Sequence, residues 1–137
     1  MSYWLLKSEP SSYSWDRLVK DGRTHWDGVR NYQAANNLKA MKRGDRAFFY
    51  HSGENPAIVG VVEIVNEAYP DPSDKEGRFV MVDVRPLDAV KTPVALAAIK
   101  SEPKLAQMAL VRQGRLSVVP VSAEEWRILS KMAGLKA

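Results

Sequence analysis

With 137 residues, 45% hydrophobic and 26% charged, the chain can bury a core as one domain, 1–137, and is too apolar to be disordered. It contains no cysteine, which excludes disulfides, thiolate–zinc sites and thiol catalysis, and its two histidines argue against a catalytic zinc. A formal charge of +4 favours polyanion partners only weakly. The opening MSYWLLKSEP lacks the basic start and long apolar run of a signal peptide or membrane span, so a cytoplasmic protein with no membrane or metal partner is expected.

Residues 3–6 read as an opening strand, stopped where Pro10 biases Glu9 toward extended backbone. Ser14 is placed to cap a helix whose apolar face is Trp15, Leu18 and Val19 and which Gly22 ends. Trp26 and a tight Asp27-Gly28 turn then lead through Val29-Arg30-Asn31 into a second helix. Its apolar face is Tyr32, Ala35, Leu38 and Met41, and it stops near Lys42-Arg43-Gly44. Residues 46–52 form a strand apolar on both sides; 58–67 form a β-branched strand in which Gly60 marks a bend or a close backbone approach. Residues 70–74 read as the most open loop, and 79–84 as a strand with a wet side at Asp83. Residues 94–100, between Pro93 and Pro103, fit a strand or a helical turn. Residues 105–111 predict a helix closed by Gly114, and 115–120 a short strand. Ser122 and Glu125 spell a capping box, with Val121 and Trp126 in the staple positions beside it.

Five to six strands interleaved with short helices, without regular alternation, predict an α+β fold: a mixed pseudo-barrel with helices packed around it. Polar groups interrupt apolar runs at three strand ends, Lys7-Ser8, His51-Ser52 and Arg115-Leu116-Ser117. Convergence of these ends on Trp26 and Asn31 would make a pocket with an aromatic wall and a polar rim. A π-face at Trp26, a forked cation at Arg30 and an amide at Asn31 suit a planar, anion-linked ligand such as a nucleotide base. The plainer roles are Trp26 in the core, Asn31 as a helix N-cap and Arg30 as a solvated charge.

The segments YWLLKSEP, WDGVRNYQAANNLKAMKRGD, FFYHSG, NPAIVGVVEI, EAYPDP and GRLSVVPV resemble, in that order, the successive motifs of the EVE domain, almost end to end. That family belongs to the PUA-like superfamily and is related to the YTH domains, which cage methylated adenine of RNA between aromatics. The resemblance implies a reader of a modified base, a modified cytosine above all, in DNA or RNA, with no cofactor. Matched position by position, it nominates Lys7, Ser8 and Glu9; Trp26, Val29, Arg30 and Asn31; Tyr50, His51 and Ser52; and Arg115, Leu116 and Ser117. Where the family usually has a basic residue after Tyr-Gln-Ala, this chain has Ala35, which implies one phosphate contact fewer.

On this reading Trp26 stacks on the base, contributing roughly 1–3 kcal/mol. Asn31 with Ser52 or Ser117 reads its polar edge, a methyl fills an apolar corner near Val29 or Leu116, and Lys7, Arg30 and Arg115 hold phosphates. Ser8 and Ser117 could instead satisfy strand-end backbone, His51 and Tyr50 could belong to the core, and Glu9 could orient Lys7 or Arg30. Two other classes compete. Hydrolysis of modified nucleosides, as in ASCH-type PUA-like relatives, would use Lys7, Glu9 and His51. A protein-docking role would use the basic helix end at Lys39, Lys42 and Arg43.

Overall fold

The computed structural model describes residues 1–135. Six strands form one mixed sheet: β1 Tyr3–Ser8, β2 Thr24–His25, β3 Arg46–His51, β4 Ala57–Pro70, β5 Val80–Ala95 and β6 Val118–Val121. Their order is β2-β5-β4-β3-β1-β6. Only β1 and β3 run parallel; the other pairings are antiparallel. The helices are α1 Trp15–Asp21, α2 Tyr32–Ala40, α3 Leu96–Ser101, α4 Ala109–Arg112 and α5 Ala123–Met132. This is the expected α+β class.

The long strands β4 and β5 slip register at four places, and each such bulge bends and twists the pair. Gly60 lies at one of them, and the reason is packing: a Cβ there would clash with the Trp15 ring, 2.4–2.5 Å from three of its carbons. The bend admits the α1 tryptophan onto the sheet. Central strand β3 is buried on both faces because its alternate side chains serve different layers. Phe48 stacks on Trp126 of α5 at 3.9 Å between centroids. Phe49 meets Trp15 and Trp26 edge-on, each at 5.5 Å.

Local signals act as expected at several ends. The Ser14 hydroxyl accepts from Arg17 N, and Gly22 closes α1 in the left-handed region at φ 77°. Both arms of the Ser122–Glu125 capping box are present. Other expectations are corrected. Val19 is 53% exposed and Tyr32 61% exposed, because each lies at the rim of its apolar stripe; Ala34 takes the place on the buried face of α2 that Tyr32 was expected to fill. Residues 94–100 are both alternatives at once: β5 runs through Ala95 and α3 starts at Leu96. The helix expected over 105–111 is split into a 3-10 turn, Pro103–Leu105, and the short α4. Residues 115–117 precede the strand and do not belong to it.

The two largest corrections concern carboxylates. Asp71, assigned to an open loop, is 2% exposed, and Asp83, assigned to a wet strand face, is 4% exposed. Each gathers donors from segments distant in sequence, which is what permits burial of the charge.

Candidate nucleic-acid interface

The three polar strand ends do lie side by side. Lys7 and Ser8 pair with Tyr50 and His51 across the parallel β1–β3 ladder. Beyond the ladder Ser52 N donates to Ser8 O (2.9 Å), and Lys7 N donates to Ser117 O (3.0 Å). Trp26 approaches from the opposite side. Its backbone N–H donates to Val82 O at 2.7 Å, which extends the β2–β5 pairing, and its ring packs T-shaped against Phe49. The indole is 8% exposed, so it is a wall sunk into the core and not a free platform.

Between Trp26 and the end of β1 opens a cavity of about 430 Å³, within the usual range for small-molecule sites. Tyr13 provides a second aromatic in its lining, Ser8, Ser12 and Thr24 provide hydroxyls, and Lys7 and Arg17 bring positive charge. Asp27 and His25 complete the lining. The β1–α1 loop is pinned over this space by Ser8, whose hydroxyl donates to Tyr13 O at 2.6 Å. Tyr13 is fixed in turn: its hydroxyl donates to Asp21 (2.8 Å) and the Arg17 guanidinium lies 5.4 Å from its ring centre. Burial pushes the Tyr13 hydroxyl above its ordinary pKa.

Lys7 is the unusual group here. Its ammonium donates to the Gly114 carbonyl at 2.8 Å and lies 5.7 Å from the Tyr50 ring centre. Among the described residues no carboxylate reaches it as an ion-pair partner. Burial accordingly lowers its pKa. A partly desolvated, unneutralised cation is stabilised by an incoming anion.

The other nominated residues are distributed around this cavity and not all within it. Glu9, His51 and Ser52 line a separate polar cavity of about 520 Å³. His51 Nε2 accepts from Trp15 N at 3.0 Å, so this ring fastens α1 to β3, and burial lowers its pKa, opposed in part by Asp16. Asn31, Arg115 and Leu116 line a third space of about 290 Å³ with Gly114. That space adjoins the first across the Lys7–Gly114 bond. Asn31 is the N-cap of α2, its Oδ1 accepting from Ala34 N at 2.9 Å. Tyr50 and Val29 are buried at 3% and 7% exposure, and burial raises the Tyr50 pKa. The acid–base trio of Lys7, Glu9 and His51 is divided between two cavities.

Arg30 is not brought to the cavity. Its guanidinium bonds Val29 O (3.1 Å), Asp71 (3.3 Å) and Ser73 (2.9 Å) and lies over Phe79. Asp71 also accepts from Gly28 N at 2.8 Å, in the turn whose Gly28 takes φ 78°. Burial pushes the Asp71 carboxyl up, yet bonds from Ser73, Gly28 and Arg30 outweigh that and bring it to about 2. This clasp fixes the turn that follows Trp26. Ser12, Tyr13, Arg17, Thr24, His25 and Asp27, the lining residues that sequence reasoning did not nominate, come from the turn before α1, from α1 itself and from β2 and its end, and their approach to Trp26 depends on the fold.

A second buried carboxylate stands behind the cavity. Burial raises the Asp83 pKa, but bonds from Tyr69, His25, Asn66 and Arg23 overcome this and hold it well below the usual carboxylate range. Tyr69 is pushed up to about 12, by burial first and then by its bond to Asp83. Among the described residues no group of three His, Cys, Asp or Glu could hold a metal ion, and no helix is long and apolar enough to cross a membrane.

Comparison with known proteins places this geometry in context. The family model of the EVE domain matches residues 2–132. The structure of Rpa0253 from Rhodopseudomonas palustris is 56% identical, with a TM-score of 0.93 over 98% of this chain and 94% of that one. Human thymocyte nuclear protein 1 is 40% identical over 159 residues, which is 91% of this chain and 71% of the relative. The human THYN1 protein in complex with 5-methylcytosine-containing DNA superposes with a TM-score of 0.92 at 37% identity, covering 100% of both chains. The YTH domain of Zygosaccharomyces rouxii MRB1, in complex with N6-methyladenosine RNA, shares the fold at 13% identity, with a TM-score of 0.57 over 96% of this chain and 86% of that domain.

Proposed function

The chain belongs to the EVE domain family, and on that premise we propose that it is a binding module for DNA carrying a methylated cytosine, acting as a single EVE unit. The base enters the cavity beside Trp26. The observation that carries this reading is the pairing, in one open space, of two aromatic rings with the unneutralised Lys7 ammonium. The human relative in complex with 5-methylcytosine DNA supports the same ligand class.

In this mechanism the Tyr13 ring stacks on an extruded base, the part of Trp26 that lines the cavity forms the wall against which the base seats, Ser8 and Thr24 meet its polar edge, and Lys7 and Arg17 take the adjoining phosphates. Arg115, across the Lys7–Gly114 bond, takes the next phosphate along the strand. Asn31 contributes through α2, which it caps, and Arg30 through the turn it anchors.

The test is fluorescence anisotropy with single-stranded oligonucleotides carrying one 5-methylcytosine or one cytosine, in DNA and RNA forms. One buried methyl corresponds to about 0.8 kcal/mol, hence about a fourfold preference for the methylated strand. Three phosphate contacts predict a log–log salt slope of about −2. Trp26→Phe keeps part of the preference and Trp26→Leu abolishes it, both variants remaining folded by circular dichroism. Equal affinity of the wild-type chain for both strands refutes the base slot, and a preference confined to RNA reassigns the polymer.

A further inference from the structure

His25 stands next to Trp26, and nothing in the preceding mechanism uses it. Its side chain is 65% exposed and lines the same cavity, yet it is tied behind to the buried Asp83. That carboxylate is saturated with donors. Oδ1 accepts from the Tyr69 hydroxyl at 2.5 Å and meets His25 Nδ1 at 2.9 Å. Oδ2 accepts from Asn66 Nδ2 at 2.7 Å and Arg23 Nη2 at 3.0 Å.

Two consequences follow from elementary hydrogen bonding. An ionised carboxylate only accepts, and the Tyr69 hydroxyl, 3.1 Å from the same nitrogen, gives its proton to Asp83, so the His25 Nδ1 that faces both oxygens carries the proton. Arg23 pairs with the other oxygen of that carboxylate at 3.0 Å, so Oδ1 is left to Tyr69 and His25. A neutral imidazole protonated at Nδ1 has a lone pair at Nε2. That nitrogen has no protein partner among the described residues, and the ring bearing it borders the space beside Trp26.

We infer that His25, locked by Asp83 in its Nδ1–H form, offers Nε2 as a hydrogen-bond acceptor for the exocyclic amino group of the bound base, so that the slot separates 5-methylcytosine from thymine. The inference rests on the base-slot reading and adds the discriminating group. The two bases are nearly isosteric and both carry a C5 methyl; they differ at position 4, where cytosine donates from an amino group and thymine presents an oxygen acceptor. Contact with the C5 methyl cannot tell them apart. A fixed acceptor can, because thymine then sets oxygen against a nitrogen lone pair and leaves both unpaired. Asp83, with Tyr69, is the positioning group: it selects the tautomer and never touches the base.

The test compares single-stranded DNA oligonucleotides that differ only in one 5-methylcytosine or thymine. The wild-type chain prefers 5-methylcytosine by about tenfold, the scale set by one polar group left unpaired. His25→Phe, which keeps a ring but no acceptor, and His25→Gln, whose amide turns to accept or donate, each bring the ratio within about twofold. Nitrogen-15 NMR of the wild-type imidazole reads the tautomer independently and shows Nδ1–H. An Nε2–H tautomer, or a tenfold ratio retained by both variants, overturns the inference. Equal binding of the two strands by the wild-type chain overturns it while leaving the slot standing if Trp26→Leu still loses methyl preference. Should the wild-type chain bind neither strand, slot and inference fall together.

Discussion

Replacing Asp71 by asparagine keeps the shape of the side chain and removes its charge. In the native chain this carboxylate accepts from Gly28 N (2.8 Å), from Ser73 N (2.8 Å) and its hydroxyl (2.6 Å), and from Arg30 (3.3 Å). An amide can face these donors with only one oxygen, so at least one N–H is left facing an NH2 group. Hydrogen bonds to a charged acceptor contribute roughly 1.5–3 kcal/mol, and a buried donor left unmade costs about 1–3 kcal/mol. The same bonds bring the carboxyl to about 2, against an ordinary 3.8, which gives a second scale for them. At roughly 1.4 kcal/mol per pH unit it corresponds to about 2.5 kcal/mol of stability in the ionised form. The two estimates overlap, and Asp71→Asn is expected to cost about 2–3 kcal/mol at pH 7. The pH dependence has a definite sign. The folded-state pKa is depressed, so the contribution is complete above the unfolded value near 4 and is lost as pH falls toward 2. Urea titrations of both proteins from pH 7 to pH 2 read this directly: the gap between them closes across that acidic window. A gap below about 0.5 kcal/mol at pH 7, or one independent of pH, would mean that water already satisfies these donors and that the clasp on the Trp26 turn is not electrostatic.

Further outcomes follow from the same contacts. Gly60→Ala puts a methyl against the Trp15 ring; overpacking of that kind costs about 1–3 kcal/mol, seen as a lowered thermal midpoint, and an unchanged midpoint would show that α1 moves aside freely. His51 accepts from Trp15 N and has a lowered pKa, from burial and against the opposing pull of Asp16. Its stabilising contribution is therefore present above the unfolded value near 6.5 and lost as pH drops below it. Thermal melts across pH 7 to 5 should show that loss in the wild-type chain and not in His51→Gln, whose amide oxygen accepts at any pH; parallel melts for both proteins contradict the bond.

Which features could be read before the structure, and which could not, follows the range of the interactions involved. The α1 start at Ser14, the capping box at Ser122 and the close approach at Gly60 are set by neighbours within a few residues or by the size of one side chain, and their residue types announce them. The polar strand ends at Lys7-Ser8 and His51-Ser52 are legible for the same reason, and the parallel β1–β3 ladder then brings them side by side. Asp71 and Asp83 were misjudged because their burial depends on donors from Gly28 and Arg30, or from Arg23 and His25, more than forty residues away. A Pro-Asp-Pro segment cannot signal that. Asn31 shows a different ambiguity: one amide suits both a base edge and a helix N-terminus, and the helix beginning at Tyr32 takes it. Tyr13, Arg17 and Thr24 carry no motif at all; they reach the cavity because α1 and β2 pack where they do.

The central claim is that a base occupies the space between Trp26 and the end of β1. Titrating the isotope-labelled chain with 5-methyl-2′-deoxycytidine 5′-monophosphate and mapping the NMR shift changes tests it most directly. The account predicts the largest changes at the Trp26 indole, Tyr13, Thr24 and Ser8, with the Lys7 amide following as the phosphate binds. Changes centred on His51 and Ser52, or on Asn31 and Leu116, with Trp26 unmoved, would contradict it.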